Sequence, residues 1–100
     1  MTKQEMAVEM CAVANHHCHN GNWYVGDHRM SWFDPEQFIY SPDGFFAVWD
    51  AVENNSLLLQ NPKPIMHGYE CYVSSLDEDH EGTGKDRYEA FYNAVYEAMK

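Results

Sequence analysis

Between Phe38 and Glu53 the apolar positions pass from a short continuous run into a helical stripe. Phe38-Ile39-Tyr40 predicts a short apolar strand. Ser41 then offers a side-chain oxygen to a free helix N–H, as an N-cap does. Pro42 suits the first helical position, where the donor it lacks has no intrahelical acceptor. Asp43 places negative charge beside the positive end of the helix. Phe45, Val48, Trp49 and Val52 fall at i, i+3, i+4 and i+7, one apolar stripe turned toward a core, with Trp49 expected to be buried.

The same logic organises the rest of the chain. Thr2 with Glu5 forms a capping box, opening a first helix whose core face carries Met6, Met10, Val13, Ala14 and His17; Asn20-Gly21 is read as its stop. Trp23-Tyr24-Val25 and Arg29 to Phe33 predict two strands joined by a turn at Gly26-Asp27-His28, and Asp34-Pro35 breaks the second. Asn54-Asn55-Ser56 ends the central helix. Leu57-Leu58-Leu59 is a strand or a last helical turn, and Pro62 and Pro64 confine their own segment to a loop or sheet edge. Gly68 to Leu76 predicts the clearest strand, with Tyr69, Cys71 and Val73 on one face and Glu70, Tyr72 and Ser74 on the other. Asp77 to Gly84 is expected as an acidic loop. A closing helix runs from about Asp86 to Met99, with Tyr88, Phe91, Tyr92, Val95 and Met99 along one side.

The resulting order is α-β-β-α-β-β-α. This predicts an α+β fold in which a small antiparallel sheet packs with three helices as an alpha-beta-alpha sandwich. At 100 residues the chain is expected to be a single domain, 1–100. An apolar content of 45% and fifteen aromatic residues argue against disorder. No apolar run reaches membrane-spanning length and no leader pattern opens the chain, so a soluble protein kept in the cytosol is expected. Three cysteines, an odd number, read as reduced thiols rather than a secreted disulfide framework.

Charge sharpens the picture. Sixteen acidic residues against six basic ones give a formal net charge of −10. Such a surface repels nucleic acid and anionic membranes and attracts basic protein surfaces. The richest concentration is Asp77, Glu78, Asp79 and Glu81, which makes these four the candidate partner-binding carboxylates. Trp23, Tyr24 and Trp32 join them, because Trp and Tyr bury much area with few rotors at interfaces.

Candidate chemistry is sparse. Cys11, His16, Cys18 and His19 are an alternative zinc set, since Cys and His are the usual ligands. They lack finger or ribbon spacing, and no metal or other cofactor is expected. Asp77 to Gly82 resembles the opening of a calcium loop, but position 12 falls on Tyr88 rather than a glutamate. Gly82-Thr83-Gly84-Lys85 lacks the spacing of a phosphate-binding loop and comes after four acids. No acid, base and pocket can be named together, so no enzyme is expected.

Trp23 and Tyr24, then Tyr40-Ser41-Pro42-Asp43 entering Ala47-Val48-Trp49-Asp50-Ala51-Val52-Glu53, then Tyr69 to Val73, and finally Glu89-Ala90-Phe91-Tyr92-Asn93-Ala94-Val95 together carry a resemblance. The pattern resembles the phage ABA sandwich domain, a small alpha-beta-alpha family of bacteriophages and prophages. The resemblance implies a phage origin, and it carries over no catalytic residues because the family has no established common activity. It also implies a protein that binds and blocks a host factor. The expected partner is a host protein with a basic surface, a nucleic-acid-binding defence component such as a CRISPR effector, bound by a monomer or homodimer without direct contact to nucleic acid. The alternatives are a zinc-binding regulatory module and an accessory protein of phage assembly.

Overall fold

The structure, a computed structural model, describes residues 1–99. Its elements are α1 (Lys3–Val13), β1 (His16–His19), β2 (Asn22–Val25), β3 (His28–Arg29), α2 (Pro35–Ile39), α3 (Pro42–Asn54), β4 (Leu58–Leu59), β5 (Lys63–Ile65), β6 (Gly68–Ser74), β7 (Asp79–Gly84) and α4 (Arg87–Met99). The class is α+β, as the pattern predicts. The described residues form four helices and two antiparallel sheets, however, rather than three helices and one sheet. The chain divides into two compact units, Met1–Ala51 and a second beginning at Val52.

In the first unit the capping box forms as expected. Glu5 N–H donates to Thr2 Oγ1 at 3.1 Å, and Thr2 N–H donates to Glu5 Oε1 at 2.9 Å. These bonds to Thr2, backbone first, hold the Glu5 carboxyl below its ordinary value. Met6, Ala7, Met10 and Cys11 are buried. The helix stops at Val13 rather than at Asn20, because Asn15 turns the chain at a φ of 61°. His16 to His19 therefore form a strand. Asn20 and Gly21 take φ values of 52° and 78°, the positive pair that a tight type I′ hairpin turn demands, and Cys18 pairs with Trp23 across it. Gly26 and Asp27 make the next turn into β3, which ends at Arg29 rather than Phe33.

Phe38 to Tyr40 is not a strand. Asp34 accepts from the N–H groups of Glu36 and Gln37 at 3.1 and 3.4 Å, and Pro35 takes the first turn, so Pro35–Ile39 is helical. Ser41 joins the two helices: its Oγ donates to Phe38 O at 2.5 Å and accepts from Gly44 N–H at 3.4 Å. Along α3, Val48 and Val52 have no exposed surface. Trp49 is half-buried rather than central, its ring stacked on Phe45 with centroids 6.0 Å apart.

In the second unit Ser56, at a φ of 62°, comes just after the end of α3. β6 is the central strand of the sheet: β4 and β5 pair one edge and β7 the other, all antiparallel. Pro64 lies in β5, paired only with β6, an edge position that tolerates proline. The segment expected as an acidic loop is largely strand. Ser75 N–H donates to Glu78 O at 2.9 Å, closing a short turn, and Asp79–Gly84 returns along β6. Asp86 Oδ1 accepts from Glu89 N–H at 2.8 Å, and Glu89 Oε2 accepts from Lys85 N–H at 3.3 Å, which starts α4. Ala90, Phe91, Tyr92, Ala94 and Val95 bury the helix's inner side, while Cys71, Val73 and Gly82 are the buried positions of β6 and β7. Among the described residues no helix is long and apolar enough to cross a membrane.

Candidate binding surface

Strand alternation sorts the second sheet into two faces. Tyr69, Cys71, Val73, His80, Gly82 and Gly84 share the α4 side. Glu70, Tyr72 and Ser74 of β6 share the other with Asp79, Glu81 and Thr83 of β7. The register sets Glu70 opposite Thr83, Tyr72 opposite Glu81, and Ser74 opposite Asp79. Lys63, opposite Glu70 on β5, brings a cation to this face, with its Nζ 3.2 Å from Glu70 Oε1. Asp79, Glu81 and Thr83 are exposed, and Tyr72 is half-buried among them.

Carboxylates dominate the local potential. The Tyr72 phenol is pushed above its ordinary pKa by the charge of Glu70 first and of Glu81 next, with burial and Asp79 adding and Lys63 opposing. Each anion near the ring disfavours a phenolate.

The four candidate carboxylates occupy two settings. Asp77 and Glu78 sit in the turn, where Ser75 Oγ accepts from Glu78 N–H at 3.3 Å and Glu78 Oε1 lies 3.5 Å from His80 Nε2. Asp79 and Glu81 are instead held at two-residue spacing on β7. Glu70 and Tyr72 join them, a pair that charge density along the chain does not single out. Their signal lies in the alternation of Gly68 to Leu76, but the sequence of Asp77 to Gly84 does not advertise a partner strand for that face.

The aromatic candidates lie in the first unit and do not share one face. Trp23 is half-buried against Phe33, at 5.0 Å between centroids. His16, on the same side of the sheet, stacks on Phe33 and Phe38 at 5.6 and 4.7 Å. Tyr24 points to the opposite side, where it stacks on His17 at 5.6 Å. Trp32 lies beyond β3 and is 74% exposed, so it alone of the three offers a large free ring.

The alternative metal set is dispersed. Cys11 is buried in α1, and burial pushes its thiol up to about 12. His16 and Cys18 project from one face of β1 and His19 from the other, rather than from a helix. His16 Nδ1 lies 2.8 Å from Ala14 O, a bond in which the ring nitrogen donates. Among the described residues no three His, Cys, Asp or Glu side chains stand together as a metal site. The other buried thiol, Cys71, donates to Gln60 O at 3.2 Å and is pushed up to about 11 by burial. Burial thus holds both thiols protonated, and thiolates are the reactive form. No family model, curated protein or solved structure matches the chain.

Proposed function

We propose that the chain is a non-enzymatic binding protein that covers a basic, nucleic-acid-binding surface of a host protein. The reading rests on one observation: Glu70, Asp79 and Glu81 surround Tyr72 on an ordered sheet face. Strand geometry fixes the spacing of these carboxylates, so they need less ordering on binding than side chains of a free loop. The net charge of −10 steers the encounter with a cationic groove and opposes simultaneous binding of nucleic acid there. Tyr72 supplies apolar area at the centre of the charges, the usual arrangement of an interface anchor within a polar rim. The resemblance to phage ABA sandwich proteins gives the setting, an infected cell whose defence components include nucleic-acid-binding effectors.

The test begins with affinity capture from host lysate and identification of the retained protein. Its nucleic-acid binding is then measured with the wild-type chain and with a variant carrying Asp77→Asn, Glu78→Gln, Asp79→Asn and Glu81→Gln. The variant is expected to fold normally, associate more slowly and show a weaker salt dependence. Unchanged association kinetics and undiminished competition with nucleic acid would remove Asp77, Glu78, Asp79 and Glu81 from the mechanism.

A further inference from the structure

The outer edge of β7 is unpaired within its sheet. The bond from Ser75 N–H to Glu78 O sets the parity of the hairpin, so Val73–His80, Cys71–Gly82 and Tyr69–Gly84 are its hydrogen-bonded pairs. Asp79, Glu81 and Thr83 fall between them and turn their N–H and C=O groups away from β6. Two further bonds fit this parity. Thr83 O accepts from Asn93 Nδ2 at 2.8 Å on the β7 edge, and Tyr72 O accepts from Gln60 N–H at 3.2 Å on the far edge of β6. Asn93 thus covers one carbonyl, while the main-chain groups of Asp79 and Glu81 face outward. Beside them lies a cleft of about 450 Å³ bounded by β7 and by Asn93, Tyr96 and Glu97 of α4.

We infer that this edge accepts an extended segment of a partner by strand addition, and that the segment carries Lys or Arg at alternate positions. Main-chain hydrogen bonds to Asp79 and Glu81 supply the docking, as in other sheet-edge recognition. Asp79 and Glu81 lie two residues apart on one face, so residues i and i+2 of an added strand stand beside them, where opposite charge is favoured. The intervening side chain of that strand turns to the other face, toward the cleft next to α4. A second copy of this chain is the poorer occupant. Two β7 edges would bring Asp79 and Glu81 against one another, and charged edge residues of this kind oppose self-pairing. The inference rests on the proposed basic partner and adds how that partner is held.

The full chain, labelled with ¹⁵N, is titrated with the synthetic peptide Thr-Lys-Val-Lys-Val-Lys and with two versions N-methylated at its odd or its even residues. Strand addition predicts slowed amide exchange at Asp79 and Glu81, and one methylated version that binds about tenfold or more weakly than the other, the equivalent of two lost hydrogen bonds. Glu81→Pro removes an outward donor together with a carboxylate, without touching the β6 ladder, and should lower affinity by a similar factor beyond the loss in Glu81→Gln, which removes the charge alone. If that variant misfolds, the methylated peptides still decide the question. Equal binding of both methylated peptides would overturn strand addition while leaving acidic recognition intact. Failure of every basic peptide and of polylysine to bind would overturn both readings. Protection of Asp79 and Glu81 that grows with protein concentration, without peptide, would assign the edge to a second copy instead.

Discussion

Gly82 and Ala94 stand backbone against backbone. A Cβ built on Gly82 would lie 2.8 Å from the Ala94 Cα and would also overlap the Ala94 nitrogen and the Ala90 carbonyl oxygen. The absent side chain lets α4 settle directly on β7, which in turn holds Asp79 and Glu81 in register with Tyr72. The obstacle is helix backbone, which cannot rotate aside. Gly82→Ala is therefore expected to destabilise the protein by about 3 kcal/mol, the upper range of overpacking. Urea denaturation measures it, and a loss below about 1 kcal/mol would show that α4 shifts freely on the sheet.

That contact also explains why β7 is not legible in the sequence. A half-buried strand advertises itself by alternating apolar and polar residues, but the inward positions of β7 are His80, Gly82 and Gly84. Close helix packing selects small residues there, and glycine in an acidic segment reads as loop. α4 is legible because Phe91, Tyr92 and Val95 recur at helical spacing and are fully buried. β6 is legible through Cys71 and Val73 for the corresponding reason. The face carrying Glu70 and Tyr72 is therefore visible in half, and its second strand is not.

The differences in the first unit have another cause, since single dipeptides there have two physical meanings. Asn20-Gly21 can stop a helix or turn a hairpin, because both need positive φ. Asp34-Pro35 can break a strand or cap a helix, and the bonds from Glu36 and Gln37 N–H to Asp34 select the cap. Local propensity leaves both open; pairing across Cys18 and Trp23 decides the first.

The hairpin turn gives a second prediction. Gly21 holds a φ of 78° and a Cβ there would meet nothing within 4 Å, so only the backbone conformation resists a side chain. Gly21→Ala should cost about 1–2 kcal/mol, whereas Asn20→Gly should be nearly neutral because glycine accepts the same φ. Thermal denaturation of the two variants checks the ordering. Equal losses would mean that the turn is not of the type I′ class.

Thiol chemistry gives a third. Cys18 is exposed, while Cys11 and Cys71 are buried. A disulfide reagent added to the native protein should modify Cys18 rapidly and the other two only after denaturant is added. Burial pushes the Cys11 and Cys71 thiols up to about 12 and about 11. Their raised values mean that the unfolded chain, with thiols near about 8.5, loses protons first as pH rises. Stability from these groups is complete below that value and declines as pH climbs toward the folded values. Alkaline unfolding that coincides with reaction of all three thiols is the expected result. Fast reaction of Cys11 or Cys71 in the native protein at neutral pH would place that thiol outside the core.

The fourth prediction concerns Tyr72. Glu70 and Glu81 flank its ring, and their charges hold the phenol protonated beyond the ordinary tyrosine value. Selective ¹³C labelling of tyrosine side chains should show the Tyr72 phenol titrating above the ordinary value, and Tyr72→Phe assigns that signal by removing it. Glu70→Gln is expected to bring the midpoint back further than Glu81→Gln, and added salt should lower it through the exposed Glu81. The raised value also sets the sign for stability. Any contribution is present below about 10, the unfolded tyrosine value, and is lost as pH rises through the folded one. A basic peptide bound to this face should reverse the direction, since a cation near the ring favours phenolate. Peptide binding that leaves the Tyr72 midpoint unmoved would place the contact away from the Glu70–Glu81 face.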